Sequence, residues 1–261
     1  MGKRAVIAFS GGMDSTGLLL DLLSQGYNVK AISFNYGQKH EIEIDKARKN
    51  IQYLFSNGIQ VEHEIVNLES ITKLLHSSLT SSELNVPEGH YEEEQMKSTV
   101  VPNRNAIFSS IIYGCALSDS IKFKCDIIIA LGVHSGDHAI YPDCRAEFYN
   151  SLNHSFTIGN WNSDRVSLYL PYVEYDKSYI LRRALDSCRK LDLDFDYVFS
   201  NTITSYNPDA SGRSSGRSGA DIERILAFDS IGRRDPIEYV KEWNEILSEA
   251  KITEKNYIEG K

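Results

Sequence analysis

A chain of 261 residues, 41% hydrophobic and 25% charged, is long enough to bury a core as one large domain and is ordinary in composition for a globular protein. With 28 Lys and Arg against 36 Asp and Glu, its formal charge of −8 argues against broad binding to nucleic acid or to an anionic membrane, either of which needs surplus cations. The apolar run behind Met1-Gly2-Lys3-Arg4 is too short for a secretory signal and no stretch is long enough to span a bilayer; the scattered cysteines Cys115, Cys125, Cys144 and Cys188 read as reduced thiols of a cytoplasmic protein.

Along the chain, apolar strands alternate with helices. A strand over Ala5–Ser10 opens into Ser10-Gly11-Gly12-Met13-Asp14-Ser15 and a helix to about Gln25. Paired glycines let the backbone turn tightly and aim successive N–H groups at an anion, while Ser10 and Ser15 add hydroxyls and the helix adds the positive end of its dipole. No Gly-Lys-Ser/Thr follows, so the loop is not of the P-loop kind, and Asp14 reads either as the cap of the helix or as a group that positions a metal or the loop. A strand over Val29–Phe34 and a helix over Lys39–Ser56, with Ile42, Ile44, Ala47, Ile51 and Leu54 at helical spacing, come next. Then follow a strand over Val61–Val66, a polar, acidic stretch Ser77–Ser98 read as a solvated loop or a flap over the site, a helix over Asn105–Ser120 and the apolar strand Asp126–Leu131. A further helix opens at Asp176-Lys177, another covers Asp221–Phe228, and a tail helix spans Asp235–Ala250 with Pro236 in its first turn. Continuous apolar strands divided by helices predict an α/β protein whose parallel sheet is buried on both faces, with ligands gathering at the carboxyl ends of the strands. The informative loops, Ser10–Ser15, Asn35–His40 and Gly132–Arg145, all follow strands.

The Ser-Gly-Gly-x-Asp-Ser string resembles the loop of the N-type PP-loop ATP-pyrophosphatases, which split ATP between its α and β phosphates. With Phe34-Asn35-Tyr36-Gly37-Gln38-Lys39-His40, Val101-Pro102-Asn103-Arg104-Asn105, Gly132-Val133 with Asp137 and Tyr141-Pro142-Asp143-Cys144-Arg145, and Pro171 with Asp176-Lys177, the order and spacing resemble the 7-cyano-7-deazaguanine synthase (QueC) family over roughly residues 4 to 228. The resemblance implies a Rossmann-like adenine-nucleotide hydrolase (PP-loop) fold with helices on both faces of a parallel sheet, a C-terminal helical extension, and homodimers. In domain terms, residues 1–200 form the PP-loop domain and 201–261 a C-terminal segment.

The function so implied is an ATP-dependent carbon–nitrogen ligase. ATP adenylates the carboxylate of 7-carboxy-7-deazaguanine, ammonia gives the amide, and a second ATP activates the amide to leave the nitrile. Two anions must meet, so cations and backbone donors have to cancel their repulsion. The loop residues Ser10, Gly11, Gly12, Asp14 and Ser15, with Tyr36, Gly37 and Gln38, are expected to hold ATP with Mg²⁺. Arg104, Asp137, Tyr141, Asp143 and Arg145 are expected at the substrate, and Lys177, Arg104 and Asp14 in the chemistry. His134 and His138 flank Asp137 and read as a metal or acid–base pair or as plain loop histidines.

The family ends in a four-cysteine zinc site; here Ser205, Ser215, Ser218 and Asp221 stand at those positions. Zinc wants thiolate or imidazole, so no zinc is expected, and hydrogen bonds, with Asp221 capping its helix and Arg213 or Arg217 pairing with it, are expected to hold the segment. Ala139-Ile140 also replaces the family's usual Ser-Gly. These departures suggest a divergent relative. QueC-like proteins of bacterial antiphage (CBASS-type) operons supply a second reading, in which a protein amine takes the activated carboxylate as an amide. A non-catalytic nucleotide or deazaguanine binder is the third.

Overall fold

A computed structural model describes residues 2–37, 42–72, 74–75, 77, 94–205, 209 and 211–259. Five strands, β1 (Arg4–Ala8), β2 (Asn28–Asn35), β3 (Glu62–Asn67), β4 (Ile127–Ala130) and β5 (Val166–Tyr169), pair in parallel in the order β3-β2-β1-β4-β5. The register sets Arg4 against both Asn28 and Ile127, so β1 lies at the centre. The order reverses at β1, which makes the carboxyl edge of β1 and β4 the topological switch point of the sheet.

Alternate residues of the central strands feed two cores. Ala5, Ile7, Val29 and Ala31 pack on one face against α1 (Met13–Ser24), α2 (Ile42–Ser56) and α6 (Lys177–Leu191). Val6, Ile32, Ile127 and Ile129 pack on the other against α4 (Arg104–Phe123) and α5 (Ala146–Gly159), after the one-turn α3 (Glu69–Thr72). This is the doubly covered parallel sheet that continuous apolar strands require. Gly17 lets α1 lie against α6, since a Cβ there would stand 2.6 Å from Ile180 Cγ2.

Among the elements expected from the sequence there is no counterpart for α3, α5, the edge strand β5 or α7 (Phe195–Ser200). The tail differs as well. No helix starts at Asp235 or Pro236; α8 (Gly219–Ser230) is followed by an irregular stretch, and α9 begins only at Trp243 and runs to Glu259. The reason is that Asp235 is committed elsewhere. It is buried against Arg224, accepts Ile237 N–H at 3.2 Å, and leads into a bridge between Tyr239 and Ser214. Most of the Ser77–Ser98 stretch lies outside the described residues; its end forms a 3-10 turn over Glu94–Thr99.

Arg224 and Asp235 form a fully buried ion pair at 2.6 Å, and the guanidinium also reaches Thr202 Oγ1, Thr204 Oγ1 and the carbonyl of Phe199. Removing one partner of such a pair leaves an uncompensated charge inside. Arg224→Met is therefore expected to cost about 3–5 kcal/mol of stability in urea unfolding, while pairing it with Asp235→Leu recovers much of the loss.

Candidate functional site

A cavity of about 250 Å³ sits at the carboxyl edge of the sheet, where β1 and β4 part. Its wall takes first-turn residues from three helices at once: Asp14 and Ser15 of α1, Arg104 and Asn105 of α4, and Lys177 of α6. Three positive helix ends, a guanidinium and an ammonium thus face one space, which is the electrostatics of an anion site.

The loop between β1 and α1 is shaped by Gly11, whose φ of +82° belongs to the left-handed region and whose Cβ, were there one, would collide with the carbonyl oxygen of Glu43. Gly11 itself stays behind the cavity wall, while Ser10, Gly12, Asp14 and Ser15 line it. The hydroxyls of Ser10 and Ser15 hydrogen-bond each other at 3.0 Å, Gly12 N–H donates to Ser10 Oγ at 3.2 Å, and Ser15 Oγ donates to the Gly12 carbonyl. Across the crevice, a Cβ on Gly132 would come within 3.2 Å of the Asp14 backbone, so the loop leaving β4 packs directly on the start of α1.

Asp14 does not cap α1, because Gly12 occupies the N-cap and Asp14 is the second helical residue. Its Oδ1 is buried without a hydrogen-bond partner, and its Oδ2 lies 3.8 Å from Nε2 of the buried His134. The Gly136 N–H donates to His134 Nδ1 at 3.1 Å, which leaves Nε2 to carry the proton that faces Asp14. A buried carboxylate oxygen with an unused lone pair, beside a phosphate-type loop, fits a Mg²⁺ ligand. His138 stays apart from this contact, its carbonyl accepting Arg145 Nε at 2.9 Å.

Lys177 opens α6 behind the N-cap Asp176, whose carboxylate accepts Tyr179 N–H at 2.9 Å. The lysine is only 5% exposed, and its Nζ meets Glu223 Oε2 at 2.7 Å. On the opposite side, Tyr36 and Arg104 line the cavity with Phe34 and Phe108, whose rings stack at 4.1 Å. Burial pushes the Tyr36 phenol up to about 12, against the pull of Arg104. Gly37 turns with φ +72° just beyond; Gln38 lies outside the described residues.

The Tyr141–Arg145 motif is placed differently from the loop residues. Cys144 reaches the cavity wall, whereas Tyr141, Asp143 and Arg145 do not line it. Tyr141 hydrogen-bonds Thr99 through its hydroxyl, and the Asp143 carbonyl accepts Asn105 Nδ2 at 3.3 Å. The motif thus braces the start of α4, which carries Arg104. Asp137 belongs to the turn Ser135–Ala139, and its side chain is outside the described set.

Several cavity or near-cavity residues are not among the site residues expected from the sequence: Glu43, Asn105, Phe108, Ile203, Thr204 and, behind Lys177, Glu223. The acidic ones look like surface helix residues, and only the tertiary fold turns them inward. Burial pushes the Glu43 carboxyl up to about 7, with Arg104 opposing.

Ser205, Ser215, Ser218 and Asp221 do come together. Asp221 Oδ2 accepts Ser205 Oγ at 3.1 Å and Ser215 Oγ at 3.3 Å, and its Oδ1 accepts Ser214 Oγ at 2.5 Å. Ser218, not Asp221, is the N-cap of α8, and the two close a capping box. Arg213 pairs with Asp209 at 2.8 Å rather than with Asp221, and Arg217 donates its backbone N–H to Ser215 Oγ. Burial raises the Asp221 carboxyl and the hydroxyl donors hold it back. With the hydroxyl protons spent on one carboxylate, this donor set does not fit zinc. Among the described residues no group of three or more His, Cys, Asp or Glu is arranged to hold a metal, and no helix is long and apolar enough to cross a membrane.

A doubly covered parallel sheet with a Ser-Gly-Gly-x-Asp-Ser loop at its reversal point defines a nucleotide-binding α/β protein of the PP-loop kind. Residues 4–232 match the family model described as queuosine biosynthesis protein QueC, and the chain belongs to that family. It is similar to the 7-cyano-7-deazaguanine synthase of Methanoregula boonei, 42% identical over 236 residues covering 90% of this chain and 99% of that one. It is likewise similar to the 7-cyano-7-deazaguanine synthase of Caldicellulosiruptor saccharolyticus, 43% identical over 90% of this chain and 95% of that one. Among solved structures, a 4-thiouridine synthetase–RNA complex with bound ATP shares 16% identity at a TM-score of 0.46, over 97% of this chain and 53% of that one.

Glu43 supplies a pH test. Its folded value of about 7 lies above the ordinary 4.5, so in that window the native chain holds a proton the unfolded chain has lost. Native stability is therefore favoured at the acid end and declines as pH rises through the window. Urea midpoints are expected to fall between about pH 5 and about pH 8, and Glu43→Gln to flatten that decline.

Proposed function

We propose that this chain uses ATP to activate the carboxylate of 7-carboxy-7-deazaguanine and carries it through the amide to 7-cyano-7-deazaguanine. The single observation that carries the reading is the convergence of the Ser10–Ser15 loop, Arg104 and Lys177 on one cavity, in a chain more than 40% identical to relatives of that name over nine-tenths of its length.

In this reading the carboxylate oxygen attacks the α-phosphorus of ATP and pyrophosphate leaves. The loop N–H groups and the Ser10 and Ser15 hydroxyls hold the departing phosphates, and Lys177 and Arg104 take up the charge that develops. Asp14 would hold Mg²⁺ through its unpartnered oxygen, and the ion there would offset the phosphate charges. Ammonia then attacks the acyl carbon, loses a proton, and displaces AMP to give the amide. A second ATP adenylates the amide oxygen with departure of pyrophosphate; loss of both protons from nitrogen and of AMP from carbon leaves the nitrile. Phe34, Phe108 and Tyr149 give the cavity a flat apolar wall suited to a fused heterocycle.

Mass spectrometry of products formed from ATP, Mg²⁺, 7-carboxy-7-deazaguanine and ammonium tests the reading. The nitrile is expected, with two AMP for each. A product that stalls at the adenylate or amide would turn the assignment to a ligase with a protein amine as acceptor, and ATP bound without AMP formed would leave a binder. Ser10→Ala and Asp14→Asn are each expected to slow pyrophosphate release by about a hundredfold or more in protein that melts normally. Unchanged release would sink the assignment of the loop.

A further inference from the structure

Lys177 and Glu223 are 46 residues apart in sequence, yet their charged atoms are 2.7 Å apart. Lys177 lines the cavity; Glu223 does not, and stands behind it on the second turn of α8 with its side chain 24% exposed. The loop after β4 makes room for this carboxylate, because a Cβ on Gly136 would collide with Glu223 Oε1. The helix under it is held from both directions. Its start is closed by the Ser218–Asp221 capping box, and the residue after Glu223 is the wholly buried Arg224. The carboxylate is therefore delivered to the lysine by a rigid element.

We propose that Glu223 is the resident counter-ion of Lys177, and that the lysine exchanges between this carboxylate and the phosphate groups of a bound ligand. Glu223 is a positioning residue and acts only through Lys177. A buried ammonium needs an anion beside it, and Glu223 supplies that anion between turnovers. The same attraction competes with the ligand. Pyrophosphate gains less from Lys177 than it would from a lysine with no internal partner, and the carboxylate reclaims the ammonium as pyrophosphate departs. No covalent bond changes in the exchange. The proposal rests on the phosphate-site reading above and adds to it a built-in route for product release.

The test is the affinity for inorganic pyrophosphate with Mg²⁺, measured by calorimetry on the whole chain, with release followed by stopped flow. Glu223→Gln keeps the shape and removes the charge; it is expected to bind pyrophosphate about three- to fivefold more tightly and to release it correspondingly more slowly. Glu223→Asp, one methylene shorter, is expected to fall between this variant and the parent, and carries the test if Glu223→Gln does not fold. In a Lys177→Gln background, Glu223→Gln is expected to change nothing, since the interaction has lost its other half. A purely packing role would weaken binding or leave it alone. Unchanged or weaker binding by folded Glu223 variants, or tightening that persists without Lys177, overturns the proposal while the phosphate site stands. A parent protein that binds no pyrophosphate overturns the phosphate site itself, and this inference with it.

Discussion

A guanidinium sealed away from water must have every donor answered, and that obligation organises one whole side of the molecule. Arg224 is the largest fully buried side chain among the described residues. To satisfy it, the chain brings together Asp235 from beyond α8, Thr202 and Thr204, and the Phe199 carbonyl of α7. The stretch so gathered then does something for the site. Ile203 N–H donates to the carbonyl of Gly11 at 3.3 Å, and Ile203 and Thr204 form part of the cavity wall. The curvature of the phosphate-type loop is thus held from the α2 side by contact with Glu43 and from the other by a segment that Arg224 keeps in place. A charge buried for structural reasons ends up setting the geometry at the mouth of the sheet.

The neighbouring Asp221 cluster applies the same principle with oxygen in place of sulfur. A metal bound by thiolates pulls separate pieces of chain to one point. Here one carboxylate does so by accepting hydroxyl protons from Ser205, Ser214 and Ser215 and closing a capping box with Ser218. The difference matters to the energetics. A metal contributes stability from outside the polypeptide, whereas a buried carboxylate stays favourable only while all its lone pairs are met, so the cluster tolerates little loss.

What could be read from the sequence follows the range of the interactions. The strands β1, β2 and β4 and the helix α1 are visible because their apolar residues recur at local spacing, and the Ser10–Ser15 loop because its chemistry is written in six consecutive residues. The strand β5 is only four residues long, at the edge of the sheet, and offers no pattern to find. The helix expected from Asp235 fails because Asp235 answers a partner eleven residues back, a claim that local spacing cannot register. Glu43 and Glu223 were passed over for a related reason. Each sits in an unremarkable helical context and acquires meaning only from Arg104 or Lys177, brought close by the fold.

The hydroxyls of the Ser10–Ser15 loop are already engaged with one another and with the backbone of Gly12. A visiting anion therefore meets a set of bonds to be traded rather than donors left waiting, and each trade returns only the difference between the old bond and the new. An anion that reaches one donor gains almost nothing from such a loop. One that spans several donors, and meets Lys177 and Arg104 in the same move, recovers every exchange together. What the loop returns to an anion therefore grows with the number of donors that the anion can engage at once.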